Sequence, residues 1–429
     1  MLNRVNKFLD DKSVLIFVIF LYLQPVMDIM TGVMLNYFNS SFVLSFILKM
    51  LFLIFMVYYT CFIKKKNIGY FIVIFIYCLC FILTNLFIKG SSFIFVELET
   101  MIKVIYLPVS FAFVSILLKE RDFKMKHLYI ILGIYMLFIF VPNLFHLGFK
   151  SYSYAKLGSI GLFYSANAIG SILSFLLPIM ISFFINKKLK KIFIIFLIIY
   201  LSIILKMGTK IPIVCIIFVI IYYLILIVVY LIKNNKKRYL TILFLVLLMG
   251  IIFLIKLLPN TEFYQNLVIH LNFLKIKSFS DLLTFKNIDH FIFSSRLKFL
   301  GNSFKIYFSS NIFQKIFGVG YVINGKVLKT SEMDFFVTLV HQGILGFIII
   351  YFIYFKYIYL IVKKYFSNFR INFCNIELTS LVLSVFISIF CAFFSGHVLD
   401  VPSISIFVIV LIIILYLKLD KNVILKKQK

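Results

Sequence analysis

The segment Lys329-Thr330-Ser331-Glu332-Met333-Asp334 sets two carboxylates just ahead of an apolar run that begins at Phe335. A carboxylate at that boundary can accept a proton from an attacking hydroxyl, the work of a general base in glycosyl transfer. A plainer use exists. Ser331, three residues before Asp334, reads as a helix N-cap, and acids in a first turn gain about 1 kcal/mol or less each from the macrodipole. Capping accounts for Asp334 better than for Glu332. His341 falls on roughly the same helical face as Asp334, two turns further along.

Cations precede the pair. Ser294-Ser295-Arg296-Leu297-Lys298 opens an amphipathic stretch with Leu297, Leu300, Phe304 and Phe308 at helical spacing, suited to a membrane surface. Arg296 in its first turn can hold a phosphate together with backbone N–H groups, and an ordinary interfacial arginine fits equally well. Lys206 and Lys210 flank Gly208 ahead of Pro212, where a phosphate clamp competes with lysines that merely snorkel. Gly318-Val319-Gly320-Tyr321 is a glycine turn without the strand and helix of a nucleotide fold. Gln24 and Asp28, and Glu97, Glu99 and Lys103, are ionisable or polar groups inside apolar runs; pairing within a helix bundle would account for them.

The elements that must carry these residues follow from composition. Of 429 residues 63% are hydrophobic and 14% charged, with a mean hydropathy of +1.10. That excludes a soluble globular enzyme, a disordered chain and a coiled coil. The apolar residues come in uninterrupted runs of roughly twenty, the length of a membrane-crossing helix, not in the alternating pattern of a β-barrel. The sequence therefore predicts an all-α polytopic membrane protein of about twelve spans, the seventh near residues 191–207. Spans one to nine occupy residues 1–258, a hydrophilic segment residues 259–332, and the last three spans with the tail residues 333–429. The first run is read as a retained span because no small-residue cleavage site follows it. The six cysteines read as packing residues.

A formal charge of +29 would suggest nucleic acid in a soluble protein. Here more than half of the basic residues fall in every second interspan segment, from Arg4, Lys7 and Lys12 to the tail after Lys418. By the positive-inside rule those segments are cytoplasmic, both termini included, and no nucleic acid is implied. Residues 259–332 are then external and carry nine basic residues, including Lys275, Lys277, Lys298 and Lys329. The excess invites an anionic ligand; a lysine-rich, AT-rich coding bias is the plainer source. No internal repeat is evident, which disfavours a transporter.

The order of these features resembles the O-antigen ligase and polymerase superfamily over Tyr164 to Phe347. Ser165-Ala166-Asn167-Ala168 is similar to the family's asparagine-containing span, Gly208-Thr209-Lys210 to its short basic turn, Ser295-Arg296 to its loop arginine and Gly318-Val319-Gly320 to its Gly-x-Gly. Ligases of the family carry a histidine, a polar residue, nine residues, then Gly-x-x-Gly; that register falls on Glu332, Met333, Gly343 and Gly346. Glu332 thus stands where the ligases have their histidine, and His341 is out of register.

The resemblance implies a GT-C-like glycosyltransferase architecture in a bacterial plasma membrane. It implies a polymerase that joins undecaprenyl-diphosphate-linked repeat units at the outer leaflet, with inversion and without a metal, nucleotide or other cofactor. Lys210 and Arg296, with Lys206 nearby, would hold the donor diphosphate; Glu332, or failing that Asp334, would be the base. Membrane lipids, a flippase and a chain-length regulator would be its partners. The alternatives are a flippase or other twelve-helix transporter, ligase-type transfer to another acceptor, and a non-catalytic scaffold.

Overall fold

The computed structural model describes residues 2–40, 43–152, 156–276, 278–323, 326–327 and 331–427. Lys277 and Lys329, two of the loop cations, lie outside them. The regular elements of the described chain are helices apart from one short hairpin and an isolated bridge between Lys150 and Ser159. Nine helices lead to the loop: α1 (Leu2–Tyr37), α2 (Val43–Tyr58), α3 (Ile68–Lys89), α4 (Ile94–Glu120), α5 (Lys126–Leu144), α6 (Ala166–Lys187), α7 (Lys190–Met207), α8 (Lys210–Lys233) and α9 (Lys237–Leu257). The loop holds α10 (Glu262–Phe273), α11 (Phe279–Leu282), α12 (Phe285–Phe291), α13 (Arg296–Ser309) and α14 (Ile312–Phe317), then strands β1 (Val322–Ile323) and β2 (Lys326–Val327). After it come α15 (Asp334–Ser367), α16 (Phe369–Cys374), α17 (Ile376–Phe394) and α18 (Pro402–Lys427).

Eleven of these helices are long and apolar enough to cross a membrane, one fewer than the sequence predicts. The difference is α7. Its 18 residues include Lys190, Lys191 and Lys206, so it holds too little uninterrupted apolar chain to qualify by length and composition. All the same, α7 packs between α5, α6 and α8 and joins the same two ends of the bundle as its neighbours.

Burial grades across the bundle. From Ile406 to Leu415 every residue of α18 is buried, as a helix apolar on all sides must be when it lies at a centre. It packs on α4, α15 and α17, while α17 lies along α6. By contrast, α9 is equally apolar, yet none of its described residues is buried. Only hydrocarbon can solvate such a helix.

The two ends differ. At the end away from the loop, Lys64 bridges Asp10 and Glu120 at 2.7 and 2.8 Å, Lys364 meets Asp420 at 2.7 Å and Lys119 lies over the Tyr416 ring. Residues of the first and last helices thus share that end. At the other end the loop is built from short helices, most of them capped locally: Thr261, Thr284 and Asn311 accept from the backbone N–H three residues on, and Ser278 forms a capping box with Asp281. The cap expected at Ser331 does not form. Met333 is the N-cap of α15 and makes no side-chain cap bond, while the buried Ser331 hydroxyl has no partner among the described residues.

Candidate functional site

Arg296 is positioned by an acid the sequence reading passed over. Asp289 accepts from the Leu297 and Lys298 N–H groups at 2.9 and 3.0 Å, capping α13, and Ser294 and Ser295 take left-handed φ values of +53° and +67° to make the turn. Arg296 is buried, 8% exposed. It donates to the Phe394 carbonyl at 2.7 Å and to Glu332 Oε2 at 2.8 Å; its Nε has no partner among the described residues.

Glu332 is held by the backbone that follows α17. A Cβ at Gly396 would fall 1.4 Å from the Glu332 carbonyl oxygen, so glycine alone fits there. Asp334, 1% exposed, accepts from the N–H groups of His397, Val398 and Leu399 at 2.7, 3.0 and 2.8 Å. It pins the loop between α17 and α18 rather than capping its own helix, which explains the acid better than the macrodipole does. That pinning brings His397 to 3.9 Å from Glu332 Oε1 on one side and 3.9 Å from Asp400 Oδ2 on the other.

The result is a charged relay, Arg296, Glu332, His397 and Asp400, drawn from three separate stretches of sequence. His397 and then Arg296 hold the Glu332 carboxyl down at about 2, against burial. Glu332 in turn, with Asp400 and Asp334, holds His397 up at about 9. Burial raises Asp400. Sequence reading missed His397 and Asp400. Their only signal is a Gly-His-x-x-Asp break between two apolar runs, and nothing in it points to residues more than sixty positions upstream.

Other expected residues are dispersed. Lys210 donates to the Phe291 carbonyl, stands 3.2 Å from His270 Nδ1 and feels the charges of Lys156 and Arg296. Burial and then Lys210, Lys156 and His290 push His270 down to about 4, leaving it neutral beside the lysines. Lys206 instead donates to the Asn143 carbonyl at 2.9 Å and is not brought to Arg296. Asn167 lies half-buried in the first turn of α6, behind the Ser165 N-cap.

The glycine landmarks form one structural joint. Val319 and Gly320 N–H groups donate to the Val340 and His341 carbonyls, and Gly343, at φ +69°, breaks α15 where Gly318 presses against it. Gly346 makes room for the Tyr77 hydroxyl. His341 is buried against Tyr321, ring centroids 4.5 Å apart, and bonds the Gly320 carbonyl, so it serves this joint and does not reach Glu332. Glu97, paired with Lys89 at 2.6 Å, accepts from the Tyr321 and Val322 N–H groups and ties the same turn to α4. Glu99 pairs with Lys103 at 2.6 Å, and Asp28 accepts from the Tyr135 hydroxyl at 3.0 Å.

A Cβ at residue 343 would lie 2.4 Å from the Ile316 carbonyl oxygen on a left-handed backbone. Gly343→Ala is therefore expected to lose about 1–3 kcal/mol from the backbone alone and more from the clash. Gly301→Ala, mid-helix with open space around its Cβ, should gain about 0.5–1 kcal/mol. Thermal unfolding in detergent distinguishes the two.

The family model described as O-antigen ligase like membrane protein matches residues 10–281 and 277–422. The chain belongs to that family. No curated protein and no solved structure matches the chain. Membership of the O-antigen ligase-like family makes this a multi-pass membrane protein of glycan processing. It also gives the relay a context. The relay sets a carboxylate, Glu332, beside an imidazole that the fold supplies from residue 397.

Proposed function

We propose that the protein is a surface-polysaccharide polymerase that joins lipid-diphosphate-linked repeat units at the loop end of the bundle, taken as the outer face of a bacterial plasma membrane. The acceptor hydroxyl oxygen attacks the anomeric carbon of the donor sugar from the side opposite the leaving group. The bond from that carbon to the diphosphate oxygen breaks, its electron pair leaves on the lipid diphosphate, and the hydroxyl proton goes to Glu332. The observation that carries this reading is the Arg296–Glu332 pair, a buried phosphate-type donor in direct contact with a carboxylate, in a chain of this family.

At about 2 the resting carboxylate is a poor base. Diphosphate supplies the remedy. Two negative groups compete for Arg296 with Glu332's one, and Lys210, which feels the charges of Arg296 and Lys156, is with Lys156 a candidate to share them. As the guanidinium turns to phosphate, Glu332 loses a partner and its proton affinity rises when the acceptor is in place. The leaving diphosphate stays neutralised by the same cations.

The experiment is to follow glycan length and lipid-linked intermediates in cells carrying Glu332→Gln or Arg296→Ala; both should stop at single repeat units. A flippase would instead leave those units on the cytoplasmic leaflet. A ligase would leave the polymer intact but unattached.

The relay also sets a pH profile. In the free enzyme neither Glu332, lowered to about 2, nor His397, raised to about 9, changes charge between pH 5 and 8. The stabilisation from raising His397 is present below its ordinary value and is lost as pH rises through 9. The stabilisation from lowering Glu332 is present above its ordinary value and is lost only as pH falls towards 2. Polymerisation rate at subsaturating acceptor should show no step near 6.5 and should fall in the alkaline range, where His397 loses its proton; a histidine base of ordinary affinity would produce a step near 6.5.

A further inference from the structure

Beside the relay the loop end carries a groove of about 700 Å³ lined by Asn36, Tyr37, His146, Phe149, Tyr152 and Tyr164, with no acid among its lining residues. Its floor is rigid. Phe149 donates to the Gly161 carbonyl at 2.7 Å and accepts from Ile160 at 3.0 Å, and Ser159 donates to the Lys206 carbonyl at 3.0 Å. A Cβ at Gly148 would collide with Asn143 and Ser159, so this turn is locked on the ends of α5 and α7. The rings stand up from that floor: Tyr37 meets Phe149 edge-on at 5.4 Å and is 64% exposed, and Tyr164 is 61% exposed.

Both sides of the groove lead to the relay. Tyr152 feels the charge of Arg296, and its hydroxyl donates to the Gly208 carbonyl at 3.5 Å. Tyr164 also lines a second cavity of about 820 Å³ whose wall includes Asp400. An extended ligand lying over these tyrosines would therefore have its near end at Asp400, which His397 links to Glu332.

We propose that this groove binds the glycan portion of the lipid-linked substrate, its sugar rings stacking on Tyr37 and Tyr164. The inference rests on the polymerase reading and adds to it where the sugars lie. Exposed aromatic faces match the C–H faces of pyranose rings, and the amide and imidazole at the rim both donate to and accept from hydroxyls. Tyrosines of a membrane-interface belt would ring the bundle and face lipid. These converge instead on one groove from the end of α1, the turn after α5 and the residue ahead of the α6 cap.

The chain contains no tryptophan, so Tyr164→Trp in the full protein, in lipid nanodiscs, is a single reporter. The probe is the oligosaccharide mixture from partial acid hydrolysis of the producing cell's surface polysaccharide. Saturable change in emission, weakened about tenfold or more by Tyr37→Ala, is the expected result. In cells, Tyr37→Ala with Tyr164→Ala should shorten the polymer, and the paired Phe variants should restore it. Unchanged emission together with normal chain length in the alanine pair would overturn the groove and leave these rings as interfacial anchors. Glu332→Gln assayed alongside separates the two ideas: loss of polymer there with normal chains in the tyrosine pair removes the groove alone, whereas normal chains in Glu332→Gln remove the polymerase reading.

Discussion

Cells whose only copy carries Glu332→Gln are expected to make no glycan longer than one repeat unit, with lipid-linked single units accumulating while the protein remains in the membrane. Removing a general base costs typically 10²–10⁴-fold in rate, enough to erase a product that needs many successive transfers. The amide keeps the shape of Glu332 and can still accept from Arg296, which is 2.8 Å away, so folding should be spared. Arg296→Ala should match that loss by a different route. On the polymerase reading it removes a cation that would hold the leaving diphosphate, worth about 10²–10³-fold, and it leaves Glu332 with His397 as its remaining charged neighbour among those described. Arg296→Lys should recover part of the activity. It keeps the charge but cannot bridge Phe394 and Glu332 as the two guanidinium nitrogens do.

The second large effect is on stability. Asp334→Ala leaves the N–H groups of His397, Val398 and Leu399 without their acceptor in a buried setting. At about 1–3 kcal/mol for each buried donor left unsatisfied, the loss should reach about 3 kcal/mol or more. Asp334→Asn retains one carbonyl oxygen and should lose less. Melting midpoints in detergent should rank wild type above Asn above Ala. Polymer length should follow the same order, because the loop that Asp334 pins is the loop that aims His397 at Glu332. Equal melting of Ala and wild type would show that the three contacts contribute nothing.

The architecture was legible because bilayer solvation imposes one rule on every span. Runs of Ile, Leu and Phe locate the helices, and basic residues mark alternate ends. Only α7, with lysines at both its ends, sits at the margin of that rule. Arg296 and Glu332 could be named from the sequence because each lies at the start of a helix beside the basic loop. Their contact could not, since it depends on Asp289 capping α13 and on Gly396 admitting the Glu332 backbone. His397 and Asp400 were invisible for the same reason. A histidine after a glycine in a short turn carries no local pattern, and its partner is set by three backbone hydrogen bonds to Asp334. Lys206 shows the opposite error: spacing placed it with Lys210, and a carbonyl on α5 takes it elsewhere.

The most direct measurement uses purified protein in liposomes, supplied from the outside with the lipid-linked repeat units that the Glu332→Gln cells accumulate or that intact cells yield by extraction. A ladder of glycans rising in steps of one repeat unit, with one undecaprenyl diphosphate released for each step and no ladder from Glu332→Gln, is the predicted result. Units that cross the bilayer at an undiminished single-repeat mass, with no lipid diphosphate released, would contradict it.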